Sequence, residues 1–370
     1  MRVGTPSLTD CDGVSRIAAD VDGAELWFES ADLALTPAPE AWGSALLLAA
    51  AARGEALTLA GTVDERWRDG TAGVLSLAQQ WWGYRAPPPQ VAVDTAEAAP
   101  ARERRGDGLC FSLGVDSFFS LLHWPGDLRW LVFVHGYDVP LQDQARMQAI
   151  RTSLRDVAQA RGVRPVVVRT NLREHPAFAA APWEVTHGGA LAAVGHLLQS
   201  HLGTLVVSAS YPRVAPHPWG SHWQLDPLWS SRRLEIAHFG DHRWRAEKLV
   251  EIADEPLVRR HLRVCWENRR ATGNCGRCEK CLRTELALAQ AGKREAFLCF
   301  DNPEPLSRRV DRLFAIKPDL VPVYERFCQP PMPPETVRAI LALLRRTRWA
   351  HRPIRGRVIR LWRKLRHARQ

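Results

Sequence analysis

The chain has 370 residues, 46% hydrophobic and 24% charged, the composition of one large or two medium globular domains. Disorder, collagen and coiled coil are excluded at once. The densest apolar run, Ala41–Ala52, is twelve residues long, short of the roughly 20 that a bilayer span needs, and Met1–Pro6 carries no apolar signal-peptide core, so a soluble, cytoplasmic protein is expected. The net charge of +10 is concentrated at one end: residues 338–370 hold twelve Lys/Arg and no Asp or Glu, leaving 38 basic against 40 acidic residues in 1–337. The body is therefore near neutral, which argues against a globule coated with nucleic acid.

Residues 1–98 read as a small α+β accessory domain. Two strands lie within Arg16–Phe28 around the turn dipeptide Asp22-Gly23, helices cover Trp42–Arg53 and Gly73–Trp82, and a short strand covers Ala56–Ala60. Residues 86–107, opening on Ala86-Pro87-Pro88-Pro89, read as a linker. Five apolar runs follow, at Gly108–Phe111, Trp130–His135, Pro165–Arg169, Leu205–Ser208 and Leu234–His238, with helical patterns at Leu141–Arg161 and Gly188–His201. That alternation predicts an α/β domain over 106–300, a parallel five-stranded sheet with helices on both faces. Ligands of such sheets bind at the carboxyl ends of the strands.

The first run leads directly into Ser112-Leu113-Gly114-Val115-Asp116-Ser117 and a short helix. A strand, a glycine turn and a helix N-terminus offer backbone N–H groups and partial positive charge to an anion. Asp116 is placed to hold Mg²⁺ against phosphates. No Walker A sequence occurs in the chain. The loop resembles instead the S-G-G-x-D-S signature of the PP-loop ATP pyrophosphatases, with Leu113 standing at the usual first Gly. The resemblance implies ATP as cofactor, transfer of AMP to a substrate oxygen and release of pyrophosphate. Ser112, Gly114, Val115, Asp116 and Ser117 would be the nucleotide contacts.

Cys265, Cys275, Cys278 and Cys281 form the second signal. A C-x-x-C-x-x-C run with one further cysteine supplies the four thiolates of a closed, structural Zn²⁺ site; a three-cysteine Fe–S cluster is the less supported alternative. Cys11, Cys110, Cys299 and Cys328 are scattered. The loop followed by this cysteine run resembles the 7-cyano-7-deazaguanine synthase branch of the superfamily over about residues 106–290. That resemblance implies activation of a carboxylate or carbonyl oxygen for attack by ammonia or an amine. It leaves the substrate open.

Four further places on the strand rim are candidates. His135 and Gly136 end the second run, where the resemblance implies the nucleoside, and His187 and Gly188 open a helix that could present N–H groups. Arg245 and Lys248 follow the fifth run, where PP-loop enzymes place basic residues to neutralise pyrophosphate; Arg283 is weaker. The aromatic stretch Tyr211–Trp229, with Trp219, His222, Trp223, Asp226 and Trp229, suits a substrate lid. Residues 301–370 form a helical region whose basic end, 354–366, suits an acidic partner, RNA or a membrane surface, or is a solubilising tail.

Residue 2 is Arg, not Cys, so no N-terminal glutaminase of the asparagine-synthetase kind is expected, and ammonia, an amine or a separate glutaminase partner is expected to supply nitrogen. Two rival functions remain: tRNA thiolation by the same superfamily, which needs a reactive Cys110 or Cys299, and a zinc-stabilised nucleotide- or RNA-binding module without turnover. An oligomer is compatible with all three.

Overall fold

A computed structural model describes residues 1–94, 105–270 and 272–351. The predicted basic helix at 354–366 and most of the charged stretch before Asp107 lie outside the described residues. The chain divides into two compact units, Met1–Lys248 and a second from Leu249 onward.

In the first unit, β1 (Arg2–Val3), β2 (Ser7–Cys11), β3 (Val14–Val21) and β4 (Ala24–Ser30) precede α1 (Pro39–Arg53), β5 (Thr58–Asp64), α2 (Glu65–Trp82) and β6 (Gln90–Asp94). Then come β7 (Asp107–Cys110), α3 (Val115–His123), β8 (Leu128–His135), α4 (Gln144–Arg161), β9 (Arg164–Thr170), α5 (Trp183–Leu197), β10 (Thr204–Ser208), β11 (Glu235–Phe239) and α6 (Arg245–Glu251), the last of which continues past the unit boundary at Lys248. Among the described residues, all eleven strands belong to one mixed, largely parallel sheet of order β11-β10-β7-β8-β9-β4-β3-β1-β5-β6, with β2 on β3. The five strands β11, β10, β7, β8 and β9 run parallel to one another and carry the five apolar runs of the sequence.

The separate accessory domain expected over residues 1–98 is not what the chain builds. Strand β4 pairs antiparallel with β9, Phe28 opposite Thr170, and the seam is reinforced by side chains: Thr170 Oγ1 donates to the Trp27 carbonyl (2.7 Å) and the Trp27 N–H to Asn171 Oδ1 (3.0 Å). Helix α1 is buried on almost every side, from Glu40 to Ala51, as its nearly unbroken Ala/Leu sequence requires. It lies so close to α5 that a Cβ on Gly189 would come within 2.3 Å of the Ser44 carbonyl oxygen. One apolar core therefore runs from Val3 to Ile236. The Pro-led linker also contains β6, which adds to the sheet parallel to β5. Its exposure alternates as at an edge, which is why its apolar content is too thin to read as a strand.

The second unit holds α7 (Pro256–His261), α8 (Glu279–Gln290), α9 (Leu306–Asp311), α10 (Val321–Arg326) and α11 (Pro334–Ala350). Its centre is ionic. Glu285, fully buried, accepts from Arg309 Nη1 and Nη2 at 2.7 and 2.9 Å, and the same Nη1 donates to the Gly276 carbonyl at 2.7 Å. The expected boundary at 300–301 thus falls inside a unit, because Arg309 fastens the cysteine loop. No described helix is long and apolar enough to cross a membrane.

Candidate functional site

The turn between β7 and α3 has the geometry of an anion cradle. Gly114 caps α3 in an extended conformation, and the Phe118 N–H makes the first intrahelical bond to the Gly114 carbonyl (2.9 Å). The N–H groups of Val115, Asp116 and Ser117 in the first turn have no intrahelical acceptor. Leu113 has φ +62°, the left-handed region that a glycine occupies without cost, and its side chain is buried in the core. The leucine therefore adopts a backbone conformation that favours glycine while its side chain is buried. Ser112 is exposed beside it. Ser117 is buried, with its hydroxyl donating to the Gly114 carbonyl at 3.0 Å.

Asp116 gathers two cations that arrive 129 and 132 residues later in the sequence. Arg245 Nη1 pairs with Asp116 Oδ2, and Lys248 Nζ lies 3.4 Å from Oδ1. Lys248 is completely buried, donates to the Ala209 carbonyl at 2.7 Å, and sits 5.6 Å from the Phe119 ring centre. Burial drives its pKa below the usual lysine range, opposed by the Asp116 charge. A buried ammonium survives only where carboxylate, carbonyl and ring share its charge. Helix α6, which carries both cations, is capped by Glu247, whose Oε2 accepts from the Trp244 N–H at 3.0 Å. The arrangement gives one helix N-terminus, one carboxylate and two cations at the carboxyl edge of a parallel sheet, a set of charges that could receive an anion.

The other rim candidates have packing duties. His135 is buried and its Nε2 donates to the Pro140 carbonyl at 3.0 Å, with burial holding its pKa down. Gly136, at φ +109°, is required because a Cβ would lie 2.0 Å from the Thr170 carbonyl oxygen. His187 and Gly188 do not open a helix: α5 begins at Trp183, so their N–H groups lie inside it. His187 Nδ1 donates to the Trp183 carbonyl (3.0 Å), burial lowers its pKa, and a Cβ on Gly188 would meet the Gly220 carbonyl oxygen at 1.9 Å. These four residues hold the walls of the edge in register.

In the second unit the four cysteine sulfurs lie within 4.8 Å of one another and all four residues are buried. Tetrahedral thiolate coordination with Zn–S near 2.3 Å demands sulfurs about 3.8 Å apart; Cys275 and Cys281 are 3.9 Å apart. Backbone N–H groups of Arg277 and Cys278 donate to Cys275 Sγ (3.4 and 3.2 Å), and that of Cys281 to Cys278 Sγ (3.4 Å). Hydrogen bonds from Cys278 and Cys281 favour the Cys265 thiolate, and Cys278 in return is pushed up to about 12. The donor set could hold a metal ion such as zinc, with no open position for chemistry. Asn274 positions Cys265: its Oδ1 accepts from the Val264 and Cys265 N–H groups (2.8 and 3.1 Å) and its Nδ2 donates to the Leu262 and Cys299 carbonyls (2.8 and 3.2 Å).

Sequence reasoning missed the roles of Asn274, Glu285 and Arg309, and the pairing of His238, which ends the last apolar run, with Asp226 (2.7 Å). No protein-family model, no curated protein and no solved structure matches the chain.

Proposed function

We propose that the chain is an ATP-dependent adenylating enzyme of the PP-loop type, forming a C–N bond between an activated carboxylate or carbonyl oxygen and ammonia or an amine. The observation that carries this reading is the convergence of Asp116, Lys248 and Arg245 on the N-terminus of α3. The ATP phosphates would lie on the N–H groups of Val115, Asp116 and Ser117 beside Ser112 and Gly114. Arg245 and Lys248, released from Asp116, would then neutralise the departing pyrophosphate, the largest electrostatic demand of the step. Asp116 so released offers one carboxylate, the number Mg²⁺ takes beside phosphate oxygens, and the ion would supply further neutralisation of the phosphates. The cysteine site would hold zinc as a structural brace.

The thiolation reading has less support. Burial pushes the Cys110 thiol well above its usual range and Cys299 up to about 12, whereas a sulfur relay needs a thiolate. Leu113 at the usual first Gly would favour the non-catalytic reading, but its backbone adopts the left-handed conformation that a glycine would take there. The deciding measurement is exchange of labelled pyrophosphate into ATP with a panel of carboxylic acids, a deazaguanine carboxylate among them. Acid-dependent exchange, lost in Lys248→Met, is the expected result. ATP binding without exchange for any acid would refute turnover.

A further inference from the structure

We infer that Asp226 and His238 form the general-base pair of the second half-reaction, the transfer of the activated acyl group to an amine; this rests on the adenylation reading. Asp226, in the short turn Asp226–Trp229, is fully buried. A buried carboxylate is costly unless its lone pairs are filled. Here Oδ2 accepts from Ser221 Oγ (2.7 Å) and His238 Nδ1 (2.7 Å), and Oδ1 from the His222 N–H (3.3 Å).

The consequence falls on His238. A carboxylate is an acceptor, so Nδ1 carries the proton and Nε2 is left with its lone pair. His238 is the penultimate residue of β11, at the carboxyl end of the strand and opposite Val207 of β10. Strand β10 separates β11 from β7, so β11 stands two strand spacings, roughly 10 Å, from the strand that precedes the Ser112–Ser117 loop. Its side chain is 5% exposed. Around this edge stand His187, Tyr211 and His217, whose rings all lie within 6 Å of the Trp219 ring centre.

An oriented, desolvated imidazole with a free lone pair suits one task in this reaction. As the amine nitrogen bonds to the acyl carbon, it must lose a proton. Nε2 takes that proton while the bond between the acyl carbon and the AMP oxygen breaks, its electron pair leaving with AMP. Asp226, the positioning residue, stabilises the imidazolium until its proton passes to solvent. A purely structural pair would instead only tie the Ser221–Trp229 segment to β11.

The two roles separate in His238→Asn, whose amide N–H can keep the bond to Asp226 but cannot act as a base. With ATP, an acid that supports exchange, and hydroxylamine as acceptor, pyrophosphate exchange reports activation and hydroxamate formation reports transfer. The ratio of transfer to exchange is expected to fall about 10²-fold in His238→Asn and Asp226→Asn. Added imidazole should restore transfer in His238→Ala. An unchanged ratio in His238→Asn, or no response to imidazole, overturns the inference while leaving adenylation intact. Absence of exchange in the unaltered protein overturns the adenylation reading and this inference with it.

Discussion

Replacing Asp116 with Asn tests the cation cluster without any knowledge of the substrate. Lys248 Nζ is 3.4 Å from Asp116 Oδ1, an attraction of about 5 kcal/mol at an effective dielectric of 20. The asparagine removes that attraction and leaves a buried ammonium with only the Ala209 carbonyl and the Phe119 ring. Removing one partner of a buried pair typically costs about 3–5 kcal/mol. An upper limit comes from the alternative of neutralising the lysine, which at pH 7 costs about 5 kcal/mol for an ordinary pKa near 10.5. Since burial has already lowered the Lys248 pKa, the neutral amine becomes easier as pH rises. Asp116→Asn should therefore lose 3–5 kcal/mol in urea unfolding at pH 7, about the size of the broken pair, and recover part of it at pH 9. The double variant Asp116→Asn/Lys248→Met should recover most of the loss at both pH values, because no orphaned charge remains. A single variant with the same midpoint as the unaltered chain at pH 7 would refute the buried ion pair, and with it the basis for the phosphate site.

Three other outcomes follow from named residues. Metal analysis should find one zinc per chain, and chelation should abolish amide-exchange protection around Leu262–Arg309 while leaving residues 1–94 protected, because the brace lies within the second unit. At Leu113, glycine should be less destabilising than alanine by about 1 kcal/mol in chemical denaturation, since both lose the buried side chain but only glycine relieves the left-handed backbone; the ordinary order, alanine milder, would show that this turn is unstrained. His196 is fully buried, its Nε2 donating to the Trp229 carbonyl (2.8 Å), and burial lowers its pKa to about 4. Between that value and 6.5 the unfolded chain binds the extra proton, so stability falls as pH falls, by up to about 3 kcal/mol; urea midpoints at pH 7, 5 and 4 should show a shallower decline in His196→Gln.

The parallel strands were legible because the inner ones are buried on both faces and so read as unbroken apolar runs, as Leu131–Val134 and Val166–Val168 do. The cysteine cluster was legible because its ligands are close in sequence. What could not be read was long-range. The β4–β9 seam joins Phe28 to Thr170 through backbone bonds that carry no sequence signal. The Glu285–Arg309 pair spans 24 residues and looks like two surface charges. The glycines at 136 and 188 invite a ligand reading because close backbone approach is what a phosphate also requires; here the close neighbours are the carbonyls of Thr170 and Gly220.

Lys248 is the instructive case between those extremes. As part of Arg-Ala-Glu-Lys it resembles any solvated helix face, and Arg245, with 24% of its side chain exposed, fits that picture. Yet Lys248 has Leu249 beside it and Ile252 one turn on, both 2% exposed, so it occupies the apolar stripe of its helix. A lysine there either unfolds the helix from its core or has a carboxylate waiting. Only one carboxylate lies within salt-bridge distance of it among the described residues, and that one stands in the first turn of α3. The charge pattern of α6 and the loop after β7 therefore specify one another: Asp116 makes Lys248 tolerable in the core, and Lys248 with Arg245 leaves an excess positive charge beside the loop. Two cations against one carboxylate leave the resting cluster with one net positive charge, and in the adenylation reading proposed above a ligand that also engages Asp116, as a metal-bound polyphosphate would, would free both cations.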